Sequence, residues 1–131
     1  MAVLRRLWMR PTTIAVGDER LAMKRGAIVV IAARGAYTGK PRPALIVQSD
    51  LFNSTHASIT VCPITSECID ASLFRVVLLP GTSTGLRQAS QAMIDKIVSV
   101  PREAITQEIG EIDPGSLTQV DEALRRWLGV D

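Results

Sequence analysis

The sequence predicts a small, mainly antiparallel β-sheet that curls into a compact barrel and is packed by one C-terminal helix. Three observations predict it. Apolar runs of strand length recur along the chain, each bounded by turn chemistry. A capped, amphipathic helical pattern stands at the end. The 131 residues suffice for one domain with a single core, so a sheet of short strands must curl to bury its apolar face.

In chain order, residues 1–22 show neither strand nor helix periodicity and are expected to form a tail outside the domain. Arg10 and Pro11 interrupt any apolar stretch that could serve as a signal peptide, so export is not expected. The domain is expected to run from 23 to 131. Strands are expected at 28–32, 44–48, 58–62, 74–79 and 93–100. Between them lie "RGAYTGKPRP", "SDLFNSTH", "PITSECIDAS" and "PGTSTG", rich in residues that favour turns. "PREAITQEIG" has proline at a first-turn position and glycine at its end, and reads as a short helix. The last helix is expected from "SLTQ", a capping box beginning at Ser116. Leu117, Val120, Leu124 and Leu128 share one face, Asp121 and Glu122 precede Arg125 and Arg126, and Gly129 closes it.

Composition narrows the function classes. At 47% hydrophobic and 21% charged, the chain is that of a folded protein. Its net charge is +2, and four bases (Arg5, Arg6, Arg10, Arg20) against two acids (Asp18, Glu19) precede Met23, so the remainder is balanced. Any nucleic-acid site must therefore be a local patch. No apolar run approaches the about 18 residues of a membrane span, and no membrane partner is expected. Cys62 and Cys68 match neither a C-x-x-C pair nor a zinc spacing, and read as reduced thiols of a cytoplasmic protein. His56 is the single histidine and lies in a polar turn. No G-x-S-x-G, Walker A or G-x-G-x-x-G pattern is present, so neither a metal nor a cofactor is expected.

Three loop clusters, "YTGKPRP", "PITSE" and "SQAMIDK", remain as candidates for chemistry. Each has an ordinary reading. Lys40 and Arg42 can keep a turn soluble, Thr65 and Ser66 can bond their own backbone, and Asp95 with Lys96 can be a charged pair at a bulge or sheet edge. Together they supply guanidinium, ammonium, hydroxyls and a carboxylate at strand ends, the groups of a phosphodiester site.

"KRGAIVVIAA", "GKPRPALIVQSDLFN", "VCPITS", "SQAMIDKIVSV" and "VDEALRRWLGV", in that order, resemble the MazF/PemK family of toxins from type II toxin-antitoxin systems, over residues 24–130. The resemblance implies an SH3-like small β-barrel with a C-terminal helix, the MazF/CcdB-type toxin fold, working as a homodimer. It also implies a sequence-specific, metal-independent endoribonuclease that cleaves single-stranded RNA and leaves a 2',3'-cyclic phosphate and a 5'-hydroxyl. The partner it implies is a cognate acidic antitoxin with a disordered C-terminal tail. Carried over by residue, Arg42 falls on the family's catalytic arginine and Thr65 on its catalytic threonine. The RNA contacts expected with it are Tyr37, the aromatic best placed to stack a base, Lys40, and Ser49, Ser66, Asp95 and Lys96, where contacts to unstacked bases would set specificity. Lys96 stands where many relatives carry glutamine, and Met93 where some carry arginine, differences that bear on base recognition. Two other classes compete: a CcdB-like toxin that binds DNA gyrase without cutting, and a small RNA-binding module. The pairing of Arg42 with Thr65 favours the nuclease, because a pure binder needs no phosphate site.

Overall fold

The computed structural model describes residues 21–32 and 40–131. Among these residues, seven strands and two α-helices follow in the order β1 (Ala27–Ile31), β2 (Arg42–Ile46), α1 (Asp50–Asn53), β3 (Ser58–Thr65), β4 (Arg75–Leu78), β5 (Ser90–Met93), β6 (Val98–Pro101), β7 (Ile105–Glu111) and α2 (Pro114–Leu128). Single 3-10 turns at Ile94–Lys96 and Arg102–Ala104 join β5 to β6 and β6 to β7. The ladder runs β4-β5-β3-β2-β1-β7, with β6 also on β3, and every pairing is antiparallel.

β3 is the hub. Val61 to Pro63 pair with β2 on one edge, while the other edge is shared, Ser58–Val61 with β6 and Ile64 and Thr65 with β5. Alternate residues of β1, β2 and β3 enter opposite cores. Val29, Ala44, Ile46, Ile59 and Val61 join Met23 and Ile105 inside the curl. Ile28, Leu45, Cys62 and Ile64 join Val76, Leu78 and Ile94, with Val120 and Ala123 of α2 closing this second cluster. Burial on both faces explains why "AIVVI" and "PALI" are unbroken apolar runs rather than alternating ones. Two register shifts between β1 and β7 bend the sheet. Among the described residues β6 and β7 form no ladder with each other, so the SH3-like sheet is curled but open.

The structure corrects the expected elements at four points. "PREAITQEIG" is not a helix: Pro101 ends β6, one 3-10 turn follows, and Ile105–Glu111 is a strand. Ile105 is buried in the inner core and the strand covers the edge of β1, a tertiary gain that outweighs local helix signals. The strand expected at 93–100 is two strands around the Ile94–Lys96 turn, because β5 and β6 pair with different stretches of β3. α2 starts earlier than Ser116: Asp113 is the N-cap, accepting the Ser116 N–H at 3.0 Å and the Ser116 hydroxyl at 2.7 Å, with Pro114 in the first turn. Leu128 is exposed at the end of α2, and Ala123 takes the buried position. Gly129 closes the helix in the left-handed region, as expected. Leu21, on the tail side of the expected boundary, packs against the inner core.

Candidate active site

Arg42 opens β2 and Thr65 closes the adjacent strand β3, so the two residues stand at the same end of one antiparallel pair. The register pairs Ala44 with Pro63 and Leu45 with Cys62. Continued by two positions, it sets Arg42 across from Thr65. Period-two alternation then places both on one face: Arg42 follows Ala44 and Ile46, and Thr65 follows Val61 and Ile59. The buried residues Ala44 to Val47 anchor the strand behind Arg42, while Arg42 itself is exposed. Pro41 and Pro43 restrict the backbone on either side of it. Among the described residues the Arg42 guanidinium has no hydrogen bond or ion pair.

Thr65 is half-buried, and its Oγ1 accepts the Glu67 N–H at 3.0 Å. That bond is the self-turn expected for a threonine here, and it consumes only an acceptor site. The hydroxyl hydrogen stays available to donate. A planar cation and a hydroxyl donor on one face can hold an anion that carries several oxygens.

The remaining predicted residues divide by position. Lys40 and Ser66 are exposed, two residues before Arg42 and immediately after Thr65, and belong to the same end of the strand pair. Tyr37 lies outside the described residues. Ser49 is at the far end of β2, where its hydroxyl caps α1 by accepting the Leu51 N–H at 3.1 Å. Asp95 and Lys96 lie in the turn between β5 and β6, beside β3 where its pairing passes from β5 at Ile64 to β6 at Val61. Asp95 is engaged: its two oxygens accept from Arg75 Nε at 2.8 Å and from the second guanidinium nitrogen at 3.2 Å, a two-point fork. Arg75 holds the Asp95 carboxyl below the usual aspartate range. The structure therefore brings Lys40, Arg42, Thr65 and Ser66 together and leaves Ser49, Asp95 and Lys96 elsewhere.

Other groups have structural duties. Arg25 ties three elements, donating from its backbone N–H to Asp50 at 2.7 Å and from Nε to the Val47 carbonyl at 2.8 Å, with an ion pair to Asp121 of α2 at 2.7 Å. Arg102 donates to the His56 carbonyl at 2.8 Å and to the Asn53 carbonyl, covering the end of α1. Cys62 is buried, which pushes its thiol up to about 12. Gln91 carries a role that reading by residue type missed, although "SQAMIDK" contains it. It is buried, and it faces Thr65 across the β3–β5 ladder.

Comparison with known proteins places the chain in a family. The family described as PemK-like, MazF-like toxin of type II toxin-antitoxin system matches residues 24–128. The chain belongs to this family. Among its relatives, "Probable endoribonuclease MazF" of Mycolicibacterium smegmatis is 47% identical over 108 residues, spanning 82% of this chain and 98% of that protein. Among solved MazF structures, "Mycobacterium tuberculosis toxin MazF-mt6" has a TM-score of 0.69 at 22% identity, covering 80% of this chain and 98% of that one. "Endoribonuclease in complex with its cognate antitoxin from Mycobacterial species" has a TM-score of 0.63 at 21% identity, covering 82% and 94%. The MazF fold, with its sheet and C-terminal helix, is thus shared.

Proposed function

We propose that this MazF-like chain is an endoribonuclease toxin that cuts single-stranded RNA at short sequence motifs, without a metal ion, and is silenced by a cognate antitoxin. The observation that carries the reading is the placement of Arg42 and Thr65 at matching ends of β2 and β3, on one face. The name of the Mycolicibacterium relative supports it, and the antitoxin complex of the mycobacterial endoribonuclease supports the partner.

In this reaction the ribose 2'-hydroxyl gives up its proton to solvent as its oxygen attacks the adjacent 3'-phosphorus, the P–O5' bond breaks, the 5'-oxygen takes up a proton from solvent, and the products are a 2',3'-cyclic phosphate and a 5'-hydroxyl. Negative charge grows on the non-bridging oxygens as the new P–O bond forms. The planar donors of the Arg42 guanidinium can meet two of those oxygens. Thr65 donates its free hydroxyl hydrogen to the same group. Loss of one such donor commonly costs about 100- to 1,000-fold in rate. Lys40 attracts the neighbouring phosphates, and Ser66 contacts the flanking base. Tyr37, Ser49, Asp95 and Lys96 complete the RNA contacts proposed from sequence. Of these, Asp95 gives one acceptor site on each oxygen to Arg75 and keeps the remaining lone pairs for a donor on the RNA.

The antitoxin is a small acidic protein whose disordered C-terminal tail lies over the Arg42 end, competing with RNA for the same cations. Incubating the purified chain with single-stranded RNA and EDTA, then mapping both ends of the fragments, tests the proposal. Cleavage that gives cyclic-phosphate and hydroxyl ends and stops on antitoxin addition is expected. An inert chain, or one that cuts only when a divalent ion is restored, contradicts it.

A further inference from the structure

Gln91 stands directly across the ladder from Thr65, and only 6% of it is exposed. Its side-chain amide makes a two-point clasp on one backbone residue. Nε2 donates to the Ile69 carbonyl at 2.8 Å, and Oε1 accepts the Ile69 N–H at 3.2 Å. The clasp copies the pairing a strand residue would make, and it pins the loop four positions beyond Thr65. Between these fixed points lies the bond from the Glu67 N–H to Thr65 Oγ1. The other hydrogen bond from this loop toward β5, Cys68 Sγ to the Ala89 carbonyl, is long at 3.9 Å, and Ser66, Glu67, Cys68 and Asp70 are exposed. An apolar side chain at position 91 would fill the same buried space. A buried amide is costly unless both of its ends are satisfied, and here Ile69 satisfies both.

We infer that Gln91 is the positioning residue for Thr65: by clasping Ile69 it closes the loop that fixes the Glu67 N–H on Oγ1, and so aims the hydroxyl hydrogen at the phosphate. This rests on the reading of Thr65 as a phosphate donor. Gln91 touches no substrate itself. Its effect falls on the chemical step rather than on RNA affinity, because Arg42 and Lys40 hold the phosphates independently of the loop.

The test compares wild type, Gln91→Met, Gln91→Glu and Arg42→Ala for cleavage of a defined single-stranded RNA from pH 5 to 8, alongside amide hydrogen exchange at Glu67 and Ile69. Gln91→Met, matched in size but without the clasp, should lose about tenfold or more in kcat with KM unchanged, and exchange at both amides should quicken. Gln91→Glu has a built-in rescue. Its carboxylate repels the Ile69 carbonyl, whereas the neutral acid offers one O–H donor and one C=O acceptor, as the amide does. Burial raises such a carboxyl above about 4.3, so its rate relative to wild type should climb as pH falls toward 5. A merely structural role would give no such recovery. Wild-type kcat in Gln91→Met, a Gln91→Glu defect that is flat with pH, or unchanged protection of Glu67 in Gln91→Met would each overturn the inference. Arg42→Ala separates the two levels: if it cuts like wild type, or if wild type cuts nothing, the reading of the site fails, and the exchange data still decide the clasp. If only Gln91→Met is unimpaired, the clasp fails and the site stands.

Discussion

Asp95 shows what a single residue can conceal. By type and position it reads as a solvent-facing contact for RNA, yet Arg75, 20 residues earlier, reaches it across the β4–β5 pairing and engages both oxygens. The partner was invisible because sequence distance says nothing about a ladder neighbour. Arg42 was legible for the opposite reason, since the prolines and the apolar run that orient it are its immediate neighbours. The fork carries a pH signature. Asp95 has a folded pKa below its unfolded value, so its contribution is present above about pH 4 and is lost as pH falls through the folded pKa. Asp95→Asn should cost about 1.5–3 kcal/mol at pH 7, and the gap in Tm from wild type should narrow at pH 3. A gap of equal size at both pH values would show that the charge is not what Arg75 needs.

β7 is the element where local signals mislead. Pro101 and Gly110 bracket the segment as they would bracket a helix, but each serves another purpose. Pro101 ends β6, and Gly110 lets the loop before β5 lie flat on β7. A Cβ on Gly110 would stand 2.3 Å from the Thr84 carbonyl carbon and 2.4 Å from the Ser83 oxygen. On the other side of the contact, Gly85 at φ +73° would place a Cβ 2.1 Å from the Ile109 oxygen. Backbone meets backbone here, and the Glu111 N–H donates to the Ser83 carbonyl at 2.9 Å. Gly110→Ala is therefore expected to destabilise by about 1 to 3 kcal/mol through overpacking, read as a Tm lower by several degrees. An unchanged Tm would mean that the loop moves aside freely. The expected and observed limits of β1, β2 and β3 agree to within a few residues, because strands buried on both faces announce themselves as apolar runs. The split between β5 and β6 was not legible, since it depends on which stretch of β3 each one meets.

At the scale of the molecule, β4 is an edge strand whose Val77 is exposed, with Leu79 just beyond it, and Leu73, Trp127 and Leu128 are exposed around the end of α2 packed against it. An apolar edge of this kind invites burial by another chain. The homodimer expected of the family would account for it. Sedimentation of the purified chain should give a dimer, and a Val77→Lys, Leu79→Lys double substitution should shift it toward monomer while leaving the two cores intact. A monomeric wild type would mean that this face is covered by something else.

The central claim is that Arg42 stabilises the phosphate in the cleavage step while contributing little to the fold. Its most direct test is the cleavage rate of Arg42→Ala on a defined single-stranded RNA, read beside its melting temperature. The exposed position predicts a stability change within about 0.5 kcal/mol, and the lost cation predicts a rate lower by about 100- to 1,000-fold. A folded Arg42→Ala protein that cuts at the wild-type rate would contradict the account.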